Sequence, residues 1–424
     1  MTLHKRAYVR PLCFFILTYL AGILLYHSLA GGTLLEHSPY DSYALLAHNW
    51  LQGNLHLPDG ASRPWLELAI YNGRYYISFP PVPGLFVLPW VVLCGGAAAV
   101  PSHLVAALAG LAGAVGVYCL FARRGFAPAA CVWWAAVCTA GSNLCWLATN
   151  GGVWFLAQTL NFALLAWGLW FAAADTTAGS TAAAFCMALA VGCRPFSILV
   201  LAAYMLVLLV RHGTRRVEYL VLKGPQPPPN EICLQLQKPG RGFWLPFAAA
   251  ALVGAALAAY NAARFGNPLE FGHTWLPEFQ REENGQFHLA YLLPNLLQLL
   301  RPIGFTAGLD LQFPVFNGFL FVAANPVFLW WFVRLAGRVR RRSFGLWDGL
   351  ALAGFAAGLL ALCLHRTLGG WQFGARYLVD LIPFVLLGEA GRAKEGAAPK
   401  DWEWLLCALA VLFNAYGAVY MLSH

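Results

Sequence analysis

The residues best suited to chemistry begin with one carboxylate, that of Asp41, in the stretch SPYDSYALLAHNWLQG (38–53). A positioned carboxylate can take a proton from a hydroxyl group and so act as a general base. The spacing also fits a structural role. Ser38 as the N-cap, Pro39 at the first helical position and an acid three residues after the cap approach a capping box. The spacing alone leaves both roles open, and one residue can serve both.

A second group of polar residues lies in the glycine-rich stretch RTLGGWQFGARYLVDLIPF (366–384). Glycine lets the backbone approach a ligand closely, and the planar guanidinium of arginine donates paired hydrogen bonds that suit a phosphate group. Trp371 and Arg376 are therefore candidate substrate-binding residues, and Arg376 beside a helix start would strengthen an anion site. The alternative is a structural ion pair between Arg376 and Asp380, four residues further along.

Weaker candidates lie in other stretches. Arg74 follows a tight-turn signal, and Arg301 begins the segment RPIGF. His48 lies on the polar side of the Asp41 segment. Arg194 lies within a long apolar run, where a charge indicates function unless a helix break satisfies it with backbone carbonyls. Metal-binding spacing of the HExxH type is absent from the sequence, so we expect no metal and no cofactor.

The composition places these residues in a membrane protein. Of the 424 residues, 60% are hydrophobic and 11% are charged, whereas soluble domains carry about 25% charged residues. Uncharged apolar runs of about 18 or more residues indicate membrane-spanning helices, since ~30 Å of hydrocarbon needs ~20 helical residues. We therefore expect an all-α polytopic membrane protein with one integral membrane domain over 1–424. The eleven candidate spans are 11–29, 82–98, 102–122, 128–147, 152–173, 180–210, 243–263, 315–335, 346–365, 376–391 and 402–421.

The charges predict the orientation. The net charge of +9 lies mostly in loops beside the spans, which indicates topology and excludes a nucleic-acid partner. With the N-terminus in the cytoplasm, all five lysines are cytoplasmic, while Arg123 and Arg124 are exceptions. This count requires 180–210 to be a single crossing, broken by a proline. The large loops are then a first outer loop (30–81), a cytoplasmic loop (211–242) and a second outer loop (264–314).

The loops carry local structure of their own. Residues 40–53 divide into an apolar and a polar side at ~100° per residue, which predicts a helix in the membrane interface. Residues 66–79 are predicted to form a β-hairpin, because Asn72-Gly73 supplies the two positive-φ positions of a tight turn. Two strand-like runs around a proline-rich turn predict another hairpin over 218–237.

Four segments, in this order, resemble the GT-C glycosyltransferase superfamily, in particular the branch of dolichyl-phosphate-mannose protein mannosyltransferases and their bacterial relatives. They are YDSYALLAHNWLQG (40–53), YNGRYYISFPPVPGLFVLP (71–89), YNAARFGNPLEFG (260–272) and GGWQFGARYLVDLIPF (369–384). The resemblance implies a GT-C-like membrane fold. It also implies transfer of a sugar from a polyprenyl-phosphate carrier to an acceptor on the outer face, with Asp41 as the catalytic base.

Two positions depart from the family's pattern. Many members carry two adjacent acids where this chain has Asp41 and Ser42. Some members carry a lysine just before the paired prolines, where this chain has Phe79. The resemblance therefore implies that Arg74 or Arg376 binds the donor phosphate.

The expected reaction is a single displacement that inverts the anomeric centre, with Asp41 as base and arginines stabilising the departing phosphate. The donor is a polyprenyl-phosphate sugar, and the acceptor is an unidentified glycan, lipid or protein. The expected location is the bacterial plasma membrane, among membrane lipids, with a cytoplasmic N-terminus and the site on the outer face. The alternatives are a lipid or solute transporter or flippase, which more often shows inverted repeats, and a non-catalytic membrane scaffold.

Overall fold

A computed structural model describes residues 2–223, 240–392 and 398–423, which form α-helices and two short hairpins. The helices are α1 (Thr2–Leu29), α2 (Ser42–Leu51), α3 (Val82–Cys94), α4 (Ser102–Arg123), α5 (Pro128–Cys138), α6 (Leu144–Leu147), α7 (Val153–Ala172), α8 (Thr177–Val191), α9 (Ile198–Lys223), α10 (Leu245–Phe265), α11 (Pro277–Gln280), α12 (Leu292–Leu299), α13 (Phe321–Ala324), α14 (Pro326–Arg340), α15 (Leu346–Leu364), α16 (Ile382–Gly391) and α17 (Asp401–Tyr420). The strands are β1 (Leu68–Tyr71), β2 (Arg74–Ile77), β3 (Gly304–Phe305) and β4 (Leu311–Gln312).

Six of the described helical segments are long and apolar enough to cross a membrane. They are Arg6–Leu29, Ser102–Arg123, Val153–Ala172, Arg241–Phe265, Leu346–Leu364 and Asp401–Tyr420. Other predicted spans are shorter or interrupted helices, so the count of eleven stays a prediction. The hairpin predicted over 218–237 is wrong at its start, because 218–223 end α9, and its remainder lies outside the described residues.

Helices α1 and α4 run in opposite directions. The rings of His27, near the end of α1, and His103, near the start of α4, lie 5.8 Å apart. At the other end, the Tyr118 hydroxyl of α4 donates a 2.8 Å hydrogen bond to the carbonyl of Tyr8 in α1. We call the end of the bundle that holds the start of α4 and the loop 30–41 the loop end.

The apolar run 180–210 forms two helices, which differs from the single broken crossing predicted. Helix α8 ends at Val191 and α9 begins at Ile198, and Arg194 lies in the connection between them. This connection reaches the loop end, where the Gly192 carbonyl accepts a 2.9 Å hydrogen bond from the amide of Val82. Proline after Arg194 removes a backbone donor, which explains the break in the helix.

Helix α3 also differs from prediction. Its 13 residues extend about 20 Å, which is short of the ~30 Å of a hydrocarbon core. The first residue of α3, Val82, lies beside Gly192 at the loop end. After the helix, the carbonyl of Val100 lies 3.2 Å from Nδ1 of His37, which is also at the loop end. The segment 82–100 therefore leaves and returns at the loop end.

The differences at 180–210 and at α3 have opposite effects on which end of the bundle the later loops reach. With the segment 82–100 returning to the loop end and 180–210 forming two helices, the first and last outer loops still meet at one end. Residues Arg123 and Arg124 move to the opposite end, beside Phe126, whose carbonyl accepts a 3.0 Å hydrogen bond from the Tyr8 hydroxyl. Under the predicted orientation this end would be cytoplasmic, and the two arginines would no longer be exceptions.

Helix α7 forms the centre of the core, and glycines let α4 approach it closely. Gly110, Gly113 and Gly116 recur every three residues along α4. A Cβ atom at Gly113 would lie 2.8 Å from the Phe162 ring of α7, and one at Gly116 would lie 3.1 Å from Ala166. Small residues at a helix interface give the close packing on which membrane bundles depend.

The helix and the hairpin predicted in the first outer loop are present, while the position of the helix in the membrane interface stays a prediction. Helix α2 is shorter than the 40–53 expected, and its buried face packs into the cluster formed with the hairpin and α3. Strands β1 and β2 pair antiparallel. Asn72 and Gly73 between them have φ angles of 49° and 72°, as the tight turn requires.

Candidate functional site

Asp41 is the N-cap of α2, and only 1% of its surface is exposed. One carboxylate oxygen accepts a 3.0 Å hydrogen bond from the amide of Ala44, and the other accepts a 2.6 Å bond from the Ser102 hydroxyl. The predicted capping box is wrong in register, because Asp41 itself is the cap and Ser38 is not. Burial raises the pKa of Asp41, and the bonds from Ser102 and Ala44 oppose this rise.

Arg376 is also buried, with 3% of its surface exposed. Its Nη1 donates to the Gln158 side chain across 2.8 Å, and its Nη2 and Nε donate to the Gly369 carbonyl across 2.6 and 3.2 Å. Each of these bonds uses one N–H group, so two of the five guanidinium N–H groups keep no partner among the described residues. The glycine at 369 has a φ of 109°, which an L-residue rarely adopts.

The alternative ion pair between Arg376 and Asp380 is not formed. Asp380 instead accepts a 3.0 Å bond from Nε of Arg194 and further bonds of 3.2 and 3.4 Å from the amides of Asn161 and Gln158. Within the described ranges, no carboxylate lies within 4.0 Å of Arg376. Asp380 therefore pairs with Arg194, and the Arg376 guanidinium keeps N–H groups that can bind an anion.

Both guanidinium groups pack against the ring of Tyr377. The central carbon of Arg194 lies 4.7 Å from the ring centre, and that of Arg376 lies 4.8 Å from it. An aromatic face attracts a cation, so this arrangement lets two like charges share one small volume.

The first turn of α7 connects Asp41 to Arg376. The amide of Val153 donates a 2.9 Å bond to the carbonyl of Tyr40, the residue before Asp41. The rings of Tyr40 and Trp154 are 5.5 Å apart. On the other side, the Arg376 guanidinium lies 5.3 Å from the ring of Phe155. The first and last outer loops therefore meet at this helix end.

The second large outer loop completes the enclosure. Nδ1 of His273 lies 2.7 Å from the carbonyl of Ser78, at the end of the first outer loop. The ring of Phe279 lies 5.7 Å from that of His365, and Glu282 forms an ion pair with Arg366. Burial and the nearby His365 ring lower the pKa of His273 to about 4, so its imidazole is neutral at neutral pH.

Glu67 is a second carboxylate in this enclosure that sequence reasoning missed. Its side chain accepts a 2.8 Å bond from the Trp154 indole, one residue from the ring that packs on Arg376. Burial raises the pKa of Glu67, and the bond from Trp154 opposes the rise. An acid just before the hairpin was the only sequence signal, and no motif distinguishes it from a surface residue.

A cavity of about 590 Å³ adjoins the site between α2, α3, α8 and α10. Its walls are mostly apolar side chains, including Trp50, Val82, Leu85, Leu189, Val253 and Leu257. Tyr260 also lines it, and its ring lies 5.9 Å from that of Trp50. The hydroxyl of Tyr43 is buried without a hydrogen-bond partner in the described part of the chain, and Nε1 of Trp50 and the hydroxyl of Tyr260 are buried beside each other. We call this cavity the apolar groove.

Arg264 joins the two large outer loops beside the apolar groove. Its guanidinium donates to the carbonyls of Ile77 and Phe271, across 2.9 and 3.3 Å, and lies 4.3 Å from the ring of Tyr260. Only 3% of its surface is exposed. Sequence reasoning recognised the surrounding segment but not this residue, because its importance depends on the fold.

The other predicted site residues lie further out. Trp371 is 39% exposed and reaches the site only through Trp146, whose ring lies 5.5 Å away. Arg74 is exposed at the hairpin turn and Arg301 is exposed after α12. His48 contacts Gln52 across 3.0 Å. Their roles stay predictions. Nowhere in 2–223, 240–392 or 398–423 do three His, Cys, Asp or Glu side chains group as metal ligands would.

No family model and no curated protein matches this chain. Solved structures do match it. ArnT from Cupriavidus metallidurans bound to undecaprenyl phosphate is 16% identical with a TM-score of 0.53, covering 92% of this chain and 61% of that one. Apo ArnT from the same organism is 17% identical with a TM-score of 0.48, covering 92% and 60%.

The archaeal oligosaccharyltransferase AglB from Archaeoglobus fulgidus, in complex with an inhibitory peptide and a dolichol-phosphate, is 13% identical with a TM-score of 0.44. That match covers 96% of this chain and 56% of AglB. The likeness to the undecaprenyl-phosphate-bound ArnT shows a shared fold, which confirms the predicted polytopic all-α, GT-C-like membrane architecture. The chain spans 61% of the length of that ArnT chain.

Proposed function

We propose that this chain is a membrane glycosyltransferase that moves a sugar from a polyprenyl-phosphate carrier to an acceptor hydroxyl group. The observation that carries the proposal lies at the first turn of α7. There Trp154 packs against Tyr40, the residue before Asp41, and the next ring, Phe155, packs against Arg376. A proton acceptor and a cation at one helix end suit an acid–base step beside a phosphate leaving group.

The apolar groove supports a lipid-linked donor. ArnT, which shares the fold, was crystallised bound to undecaprenyl phosphate. A polyprenyl tail is extended hydrocarbon, and the groove of about 590 Å³ offers it apolar surface. The buried hydroxyl of Tyr43, which has no hydrogen-bond partner among the described residues, would lie near the phosphate end of that lipid.

The buried guanidinium groups support an anionic leaving group. Arg376 is held in place by Gln158 and Gly369 and keeps two N–H groups for a ligand. Arg194, paired with Asp380, adds a second fixed guanidinium group beside Tyr377. Preorganised donors of this kind stabilise the charge that develops on a departing phosphate, at no cost of reorganisation during the reaction.

In the proposed reaction, Asp41 takes the proton of the acceptor hydroxyl as its oxygen attacks the anomeric carbon. The bond between that carbon and the carrier's phosphate oxygen breaks, and the electron pair leaves with the phosphate. One displacement inverts the anomeric centre, and no second carboxylate is needed as a nucleophile. Because Asp41 is 1% exposed, the acceptor reaches it only when the surrounding loop segments move on substrate binding.

The proposal includes a location and a class of acceptor. We place the N-terminus in the cytoplasm and the site on the outer face of a bacterial plasma membrane. There a lipid-anchored donor and an aqueous acceptor, whether glycan, lipid or protein, can meet. The buried carboxylate between helix ends and loops is compatible with this boundary, because one substrate arrives from lipid and the other from water.

The test is transfer of label from polyprenyl-phosphate sugars in membranes that contain the full chain. The wild type should move the label from the carrier to an acceptor, and Asp41→Asn should reduce the rate by at least about 100-fold, the lower end of what one general base contributes. Asp59→Asn, which changes an acid 52% exposed in the same loop, should retain the wild-type rate.

Equal rates for Asp41→Asn and the wild type would overturn Asp41 as base. Movement of intact lipid across the membrane without any transfer would favour a flippase instead. Monodisperse elution and a melting temperature no lower than that of the wild type exclude misfolding of the Asp41→Asn protein as the cause of lost activity.

A further inference from the structure

Two side chains connect Asp41 to the surface of the first outer loop. Nδ1 of His37 lies 3.2 Å from the carbonyl oxygen of Val100 and 3.1 Å from Oγ of Ser102. Because a carbonyl can only accept, we assign the proton to Nδ1, which then donates to both. Ser102 donates onward to Asp41 across 2.6 Å. The three side chains form one directed series of hydrogen bonds.

Burial changes steeply along this series. Ser102 is 0% exposed and Asp41 is 1% exposed, whereas His37 is partly exposed. Gly151 fixes the position of Ser102, because a Cβ atom at 151 would lie 2.3 Å from Cβ of Ser102. The hydroxyl is therefore a rigid link between the sealed carboxylate and an imidazole at the loop surface.

A buried carboxylate that acts as a base must be ionised, although its burial favours the protonated form. The protonated acid cannot accept a proton. The Ser102 hydroxyl and the Ala44 amide favour the ionised form, and the His37 imidazole acts in the same direction. Replacing Ser102 would cut His37 off from the carboxylate as well as removing one hydrogen bond.

We propose that His37 is a positioning residue for Asp41: acting through Ser102, it keeps the carboxylate ionised and in one orientation. The inference rests on the proposed function, since it assumes that Asp41 accepts the proton of the acceptor. Ser102 holds Oδ2 and the amide of Ala44 holds Oδ1, so the carboxylate is fixed in one orientation at the start of α2.

Other titratable groups lie near Asp41 and His37, and the test must separate their effects on Asp41 from that of His37. Tyr43 of α2 lies within electrostatic range of Asp41, and Arg194 acts on the same phenol. Near His37, the groups are Glu36 and His103 of α4. The Ser102 hydroxyl bonds to His37 and Asp41, so variants at 37 and 102 test the series more directly than variants at the other groups.

Infrared difference spectroscopy on the purified chain measures protonation of Asp41 directly. The carboxylic-acid carbonyl band that disappears in Asp41→Asn identifies the group. We expect Ser102→Ala to raise the midpoint of this band's pH titration by about one unit, a tenfold change in proton affinity, and His37→Ala to raise it by less. His37→Gln should restore part of the shift, because its amide can still donate to Ser102.

The matched control is His56→Ala, which removes another partly exposed histidine of the same loop, 6.1 Å from the ring of Tyr76. Its titration should coincide with that of the wild type. If the midpoint is the same in His37→Ala and the wild type, the inference is overturned, whatever the transfer rates.

Transfer kinetics supply the second readout. The acid limb of the pH profile of kcat should move upward in the order wild type, His37→Gln, His37→Ala and Ser102→Ala, while KM for the donor changes little. A lower rate with an unmoved acid limb would assign His37 a merely structural role. Absence of transfer in the wild type would contradict the proposed function, and the infrared titration would still decide whether His37 acts on Asp41.

Discussion

Nε of Arg194 lies 3.0 Å from the carboxylate of Asp380, although 186 residues separate them in sequence. Arg194 stands in the break between α8 and α9, and Asp380 follows the last outer loop. Asp380 therefore compensates one of the two guanidinium groups beside Tyr377, and Arg376 keeps its charge free of a described carboxylate. This pairing divides the two arginines into one that holds the fold and one that is free to bind.

Asp380→Ala should strongly destabilise the protein, because it leaves the buried charge of Arg194 without a partner and removes an acceptor from Asn161. Loss of one member of a buried ion pair costs about 3–5 kcal/mol. A melting curve in detergent should therefore shift well below that of the wild type. Asp59→Ala, which breaks an exposed pair with Arg63, should shift it little, since exposed pairs contribute about 0–1 kcal/mol. Equal shifts for both variants would contradict the assignment.

Arg376→Ala should weaken binding of the polyprenyl-phosphate donor. Hydrogen bonds to a charged group contribute about 1.5–3 kcal/mol, so affinity should fall roughly 10- to 100-fold. Arg376→Lys should not restore it, because an ammonium group cannot contact Gln158 and Gly369 and still present two further donors to phosphate. Isothermal titration with a short-chain polyprenyl phosphate measures this. Arg63→Ala is the matched control, and an equal loss there would indicate a non-specific charge effect.

The sequence predicted the fold class, the outer hairpin and α2 because each depends on local or compositional signals. Apolar runs, Asn72-Gly73 and a polar–apolar division are visible in a single segment. Crossings were predicted less well. The run 82–98 is apolar enough for a span, but its helix α3 is short. The run 180–210 is apolar almost throughout and was predicted as one span, but it forms parts of two helices, α8 and α9.

The site was predicted in part for a similar reason. Asp41 and Arg376 stand in recognisable segments, whereas Glu67, Arg264 and Ser102 matter only through partners far away in the chain. A serine at the start of an apolar run gives no sign that it contacts an acid 61 residues earlier. The distance between two such residues depends on how the helices pack, and a single sequence does not show that packing.

The transfer rate should depend on pH through Asp41. A base must be ionised, and burial raises the pKa of Asp41 above the value of about 3.9 for an ordinary aspartate. The rate should therefore rise with pH through this raised pKa and fall on acidification at a higher pH than an ordinary carboxylate would cause. A kcat profile between about pH 4 and 8 measures the limb. A limb at or below pH 3.9 would contradict a role for this buried carboxylate.

Asp41→Asn should stabilise the fold at neutral pH. Because the folded pKa is raised, Asp41 contributes stability below its unfolded pKa, and that contribution is lost as pH rises through the folded pKa. Asparagine keeps a good N-cap for α2 without the charge. Melting curves should therefore show a higher Tm for the variant at neutral pH, with the difference shrinking toward pH 4. A lower Tm at neutral pH would mean that ionised Asp41 is favourable to the fold.

The apolar groove should select donors by chain length. Ala255 and Ala256 are both exposed, but only Ala256 lines the groove. Ala256→Trp should fill part of the apolar groove and remove about 60 Å² of contact with a long polyprenyl tail. This loss is about 1.5 kcal/mol, which should raise KM for a long-chain donor roughly tenfold. A donor whose tail is too short to reach Ala256 should be used as well as by the wild type. Ala255→Trp adds the same side chain toward the surroundings and should leave both donors unaffected. If Ala256→Trp slows long and short donors equally, the indole acts on the fold or the chemistry, and the groove does not hold the lipid.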